Sequence, residues 1–155
     1  MCRLFAALVL LPALACAPKL IPETNIVATP ESQAIYALMG QYRQAVEGRD
    51  VDGIMKLVSK SFFENSGTPE ANDDYNYDAL AKRLQSWAEQ VKSARVALQV
   101  KGILVDGATA RAPYFFDTSY QIEAASGAVW KRNTDVKEMR FKKDDDGVWR
   151  IAAGI

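Results

Sequence analysis

The side chains able to carry acid–base chemistry in this chain are carboxylates, tyrosines and lysines, because its 155 residues include no histidine. That absence excludes serine–histidine and cysteine–histidine catalysis in their usual forms. It also excludes histidine-based zinc and non-haem iron centres. The two cysteines are Cys2 and Cys16, so the chain beyond them has no thiol nucleophile and no disulfide. Two acidic clusters, Glu70 with Asp73 and Asp74, and Asp144 to Asp146, lack the spaced ligands of a calcium loop and read as helix-start charge and a solvated turn. Trp130, Lys131 and Arg132 set an aromatic beside two bases, in a run too short for nucleic acid. With 19 Lys and Arg against 19 Asp and Glu, no basic field attracts one. No metal, cofactor or nucleic-acid partner is expected.

One covalent modification is expected. Leu14-Ala15-Cys16 closes an apolar run, 4–15, that follows Arg3. A dozen residues at about 1.5 Å each reach roughly 18 Å, short of a hydrocarbon core of about 30 Å. Pro12 also opposes a stable buried helix there. A basic start, a short apolar run and small residues at the exit form a secretory signal. With a cysteine directly after them, the segment resembles the bacterial lipoprotein signal. That implies cleavage before Cys16 and acylation of Cys16 with palmitate-type chains. The expected location is the bacterial cell envelope, as an outer-membrane lipoprotein facing the periplasm or the cell surface. The organisation then reads as a signal peptide, 1–15; lipidated Cys16 and a tether, 16–29; and one domain, 30–155. A free tether of 17–29 would reach roughly 40 Å at about 3.3 Å per residue; the alternative is an ordered N-terminal arm packed on the domain.

The domain reads as helices first and strands second. Thr29, Pro30 and Glu31 suit the cap, first position and first turn of a helix. Ile35, Leu38, Met39, Tyr42, Ala45 and Val46 then repeat at helical spacing. Gly48 ends that helix, and Asp50 caps a short second one. A loop around Gly67 and Pro69 follows, and Asp74 or Asn76 starts a third helix with Tyr77, Leu80, Leu84, Trp87 and Ala88 on its face. Trp87 is expected in the core. From Ala94 the period becomes two, with Val96, Leu98 and Val100 on one face. A bulge is expected at Gly102, and Asp106-Gly107 is a hairpin signal. A long strand, 109–123, places Tyr114, Phe116, Tyr120 and Ile122 on one face, with Phe115, Asp117, Ser119 and Gln121 on the other. Two more strands, 128–142 and 148–153, complete the pattern.

Three N-terminal helices packed on a curved antiparallel sheet of about four strands make an α+β fold, and the concave face of the sheet forms a pocket. Tyr42, Tyr114, Phe116, Tyr120 and Trp130 are the candidates to line that pocket.

Two stretches carry a family resemblance. One is Tyr42-Arg43-Gln44-Ala45-Val46-Glu47-Gly48-Arg49-Asp50-Val51-Asp52-Gly53-Ile54, followed by Leu57; the other is Gly147-Val148-Trp149-Arg150-Ile151-Ala152-Ala153-Gly154. Together they resemble the two ends of nuclear transport factor 2-like domains, which include SnoaL-like and ketosteroid-isomerase-like proteins. The resemblance implies a cone with an internal pocket, often in a dimer. Ketosteroid isomerases use a first-helix tyrosine as oxyanion donor, a place that Tyr42 matches. Their carboxylate base falls here on Ser66, with Glu64 two residues away. Their second donor falls on Lys137, with Asp135 two residues earlier. Tyr42, Glu64 and Asp135 are therefore the candidate catalytic residues, and only Tyr42 matches as it stands.

Three functions fit these expectations. The first is a lipid-anchored envelope protein whose pocket binds a small apolar ligand or a protein partner without catalysis. The second is an isomerase- or hydratase-like enzyme using a tyrosine and a carboxylate in the cone. The third is a structural module that pairs as a homodimer through the open sheet.

Overall fold

The computed structural model describes residues 18–65, 73–124 and 127–155; Cys16, Ser66 and Glu70 lie outside them. Helix α1 spans Pro30–Gly48 and α2 spans Val51–Leu57. Two short strands, β1 (Phe63–Glu64) and β2 (Tyr75–Asn76), precede α3 (Tyr77–Gln90). Five strands follow: β3 (Val91–Val100), β4 (Leu104–Asp106), β5 (Thr109–Ala124), β6 (Gly127–Lys143) and β7 (Trp149–Ala153).

Local chemistry sets the helix starts. Thr29 Oγ1 accepts from the Ser32 N–H while Ser32 Oγ accepts from the Thr29 N–H, at 3.1 and 2.9 Å, a capping box with Pro30 behind it. Asp50 accepts from the Gly53 N–H at the start of α2, and Asn76 from the Ala79 N–H at the start of α3. The end of α1 falls where expected. Gly48 is its last helical residue, and the left-handed position falls on Arg49, with φ 55°. The Arg49 guanidinium donates to the Val91 carbonyl at 2.6 Å, which ties the end of α1 to the start of β3.

The sheet is antiparallel in the order β3-β5-β6-β7, with β4 continuing the β3 edge along β5. It has five strands rather than four because the chain breaks its ladder at residues 101–103. From Val100↔Tyr114 to Leu104↔Arg111 one side takes four steps and the other three, so the extra residue expected near Gly102 divides the strand in two. The helices cover one face. There Ile35, Met39, Ile54, Phe62, Met139, Phe141 and Ile151 form the fully buried centre. Farther along the sheet no helix among the described residues covers β6, and residues 128–138 are exposed on both faces.

Two further expectations need correction. Trp87 is half-buried and stands outside the core cluster. Helix α3 packs on α2, β2 and β3, and its only buried residue is Leu80. Residues 18–29 are not a free tether. The Ile21 N–H donates to the Ile26 carbonyl and the Ala28 N–H to the Lys19 carbonyl. Ile21 and Ile26 are buried, so burial of two isoleucines holds this arm on the domain.

Candidate functional site

A cavity of about 110 Å³ lies inside the curve of the sheet. Tyr42 and Val46 of α1 form one wall, and Val96, Leu98, Phe116 and Thr118 form the other. The register explains the second wall: Leu98 pairs with Phe116 and Val96 with Thr118, so all four side chains share the concave face. Tyr114 and Lys137, register partners, also line it. The Lys137 ammonium sits 5.4 Å over the Phe116 ring, a cation–π contact.

The last two residues close one side. Gly154 and Ile155 run between this cavity and a neighbouring cleft of about 440 Å³, and Ile155 lines both. The Tyr114 hydroxyl donates to the Gly154 carbonyl at 2.9 Å, and the Tyr75 hydroxyl donates to the Ile155 carbonyl at 3.0 Å. The Gly154 N–H donates to Glu64 Oε2 at 2.5 Å, and Arg140 pairs with the other oxygen of Glu64 at 3.8 Å. Gly154 has φ 88°, and a Cβ there would lie 2.8 Å from Met139 Cα and closer still to the Glu138 carbonyl. Only glycine lets the chain lie against β6 in this way.

The electrostatics follow from burial. Desolvation pushes the Tyr42 phenol well above its usual range, and nearby Tyr114 and Tyr75 add to the effect. Tyr42 as a residue is half-buried, and it is its hydroxyl that is desolvated. Tyr114 is pushed up by burial first and then by the Glu64 and Asp135 carboxylates. Tyr75 rises through burial and Glu64, partly offset by Arg83, whose guanidinium lies over its ring. All three phenols are therefore neutral hydrogen-bond donors at physiological pH.

No protein-family model matches the sequence, and no curated protein matches it. Solved structures do resemble this chain. A conserved protein from Planctomyces limnophilus superposes with a TM-score of 0.68 at 13% identity, over 80% of this chain and 92% of its own. A ketosteroid isomerase-like protein from Erwinia carotovora atroseptica gives 0.66 at 19% identity, over 82% and 95%. A nuclear transport factor 2-like superfamily protein from Salmonella enterica gives 0.64 at 15% identity, over 79% and 86%. The fold is the nuclear transport factor 2-like cone.

Within that cone the residues singled out from the sequence separate. Tyr42, Tyr114 and Phe116 line the cavity. Tyr120 is on the same concave face, opposite Ala94 and Lys131, but farther along the sheet than the cavity wall. Trp130 pairs with Gln121, which puts it on the convex face with Arg95 over its ring at 5.0 Å; it does not line the pocket. Glu64 lies in the neighbouring cleft and is turned to Gly154. Asp135 is on the exposed part of β6, and its carboxylate accepts from the adjacent Val136 N–H at 2.7 Å. The structure thus gathers Tyr42, Tyr75, Tyr114 and Glu64 around the end of the chain and leaves Asp135 outside.

A wider surface cleft of about 830 Å³ borders α2 and β7. Two of its acids, Asp144 and Asp146, are held by bases. Arg150 holds Asp146 through two bonds of 2.8 and 2.7 Å and also reaches Asp144 at 3.1 Å. Ser59 donates to Asp144 at 2.9 Å. The Arg150 contact pulls the Asp146 carboxyl down to about 2. The acidic turn is thus a strap on β7. Sequence reasoning missed Tyr75, Gly154 and Ile155. Their only signal was Gly154 just past the last strand, and nothing local reports which tyrosine its carbonyl meets.

Proposed function

We propose that this chain is a lipid-anchored protein of a bacterial cell envelope, held through Cys16 to the outer membrane, whose cone binds a small apolar ligand without catalysis. One observation carries the binding reading: the cavity wall is mostly apolar, while Tyr75, Tyr114 and Glu64 spend their polar atoms on Gly154 and Ile155. An isomerase- or hydratase-like reaction would need a carboxylate facing Tyr42 across the cavity, and neither Glu64 nor Asp135 lines it. The space of about 110 Å³ is small beside ligand pockets of roughly 300–1,000 Å³. Ile155 and Lys137 are the walls it shares with the cleft of about 440 Å³, so a larger ligand enters by displacing those side chains.

Native mass spectrometry of the protein purified from its own host tests this reading. A small-molecule mass is expected on the wild-type chain and is lost in Val46→Phe, which fills the cavity from α1. A wild-type chain without added mass, or an added mass indifferent to Val46→Phe, overturns it.

A second copy of the chain is also proposed as a partner, on a separate observation. The convex sheet face presents Val136 at 65% and Trp130 at 46% exposure, two large apolar side chains that a second copy would cover.

A further inference from the structure

The N-terminal arm carries a surface of its own. Its buried isoleucines clamp residues 18–29 to the domain, and Ser32 Oγ donates to the Val27 carbonyl at 2.6 Å. Leu20 and Val27, bridged to each other, remain 43% and 48% exposed. Across a groove of about 590 Å³ that Val27 also lines, the edge strand β4 presents Leu104, on the face of exposed Arg111, and Val105, on the face of buried Ala110, at 54% and 39% exposure. Four large apolar side chains from two distant parts of the sequence thus share one end of the molecule. Strand β4 is short and lies on the sheet edge, and none of these four belongs to the core cluster.

The chain that leads into this arm decides what covers it. Leu20 is four residues from Cys16, a span of at most about 14 Å at full extension. A free tether would have allowed roughly 40 Å. Acyl chains on Cys16 therefore bring the arm and β4 to the level of the lipid headgroups. Helix α1 leaves this end and climbs about 28 Å over its 19 residues. The cavity beside Tyr42 and Val46, and the β3 start tied to Arg49, belong to its far half.

We infer that Leu20, Val27, Leu104 and Val105 form a bilayer-contact surface that sets the domain directly on the membrane, with the uncovered part of the sheet turned away from it. The inference rests on the lipid-anchored reading above. The occupant is the interfacial zone of the bilayer, because a surface that a short acylated arm holds against lipid gains by burying its leucines and valines there. A second copy or a soluble partner has no such constraint favouring it at this end.

The test uses the mature acylated chain in vesicles of phosphatidylethanolamine and phosphatidylglycerol with brominated acyl chains. Mature protein has Cys16 as its only native cysteine, and acylation blocks that thiol. Leu104→Cys and Val136→Cys, both at exposed positions, each then take a single fluorophore. Loss of fluorescence at 104 and none at 136 is expected. An acylated chain that sediments with the vesicles yet is quenched at neither position, or equally at both, overturns the contact surface while the anchor stands. A mass spectrum showing Cys16 unmodified overturns both. Self-quenching at 104 without bromine quenching assigns the surface to a second copy and likewise overturns the inference.

Discussion

At the scale of single residues, the tyrosines around the chain end give the clearest consequence. Tyr42, Tyr75 and Tyr114 all have phenols raised above their ordinary value of 10.0. Above about pH 10 the unfolded chain releases protons that the folded chain keeps. Their contribution is therefore fully present below that pH and is lost as pH climbs toward the folded values. Urea midpoints are expected to be level between about pH 7 and 9 and to fall steadily above about 10, with a shallower fall in Tyr114→Phe. A midpoint level through about pH 12 would contradict the burial of these hydroxyls. Tyr42 was legible in the sequence because it sits on the apolar stripe of one helix. Tyr75 and Gly154 were not, since each acquires its role from a partner about eighty or ninety residues away. Trp130 shows a different limit. A one-residue change of register moves a strand residue to the opposite face, and the pairing Gln121↔Trp130 turns this ring outward.

At the scale of elements, the caps were the legible features. Thr29, Asp50 and Asn76 mark the starts of α1, α2 and α3 because capping depends on residues three apart, which a sequence displays directly. The two residues of β1 and of β2 pair as Phe63↔Asn76 and Glu64↔Tyr75, a contact across the intervening loop that no local period announces. The tether expectation failed for a related reason. Prolines and polar residues suggested a free segment, whereas Ile21 and Ile26 find partners only once the domain exists. Thr29 is the joint between that arm and α1, with its hydroxyl and N–H both committed to Ser32. Thr29→Ala is expected to cost about 1 kcal/mol in equilibrium urea unfolding. Thr29→Ser, which keeps the oxygen, is expected to lie close to wild type. Equal losses for both would place the effect in packing rather than in the cap.

At the scale of the whole molecule, the two faces of the sheet divide the work. The concave face holds the cavity, and the convex face is left to water or to a partner. On the convex side Gln99, Phe115 and Val136 form one row, Ala97, Asp117 and Thr134 the next, and Trp130 lies farther along. Arg132 and Asp117 are joined there by bonds of 2.7 and 2.5 Å. That pairing holds Asp117 below the usual carboxylate range and leaves the patch locally neutral. Strands of 16 and 17 residues are about 50 Å long, and three strands are about 14 Å across. The face therefore offers roughly 700 Å², near the ~800 Å² per partner of a standard interface. If two copies pair here, a charge at the most exposed apolar position must be buried without a partner, which costs several kcal/mol. Val136→Asp is accordingly expected to turn a dimer into a monomer in sedimentation equilibrium. Its thermal midpoint as a monomer should be little changed, because Val136 contributes nothing to the core. A wild-type chain that sediments as a monomer at every concentration, or a Val136→Asp chain that still pairs, would take the second copy off this face and leave the cone and its cavity as they are.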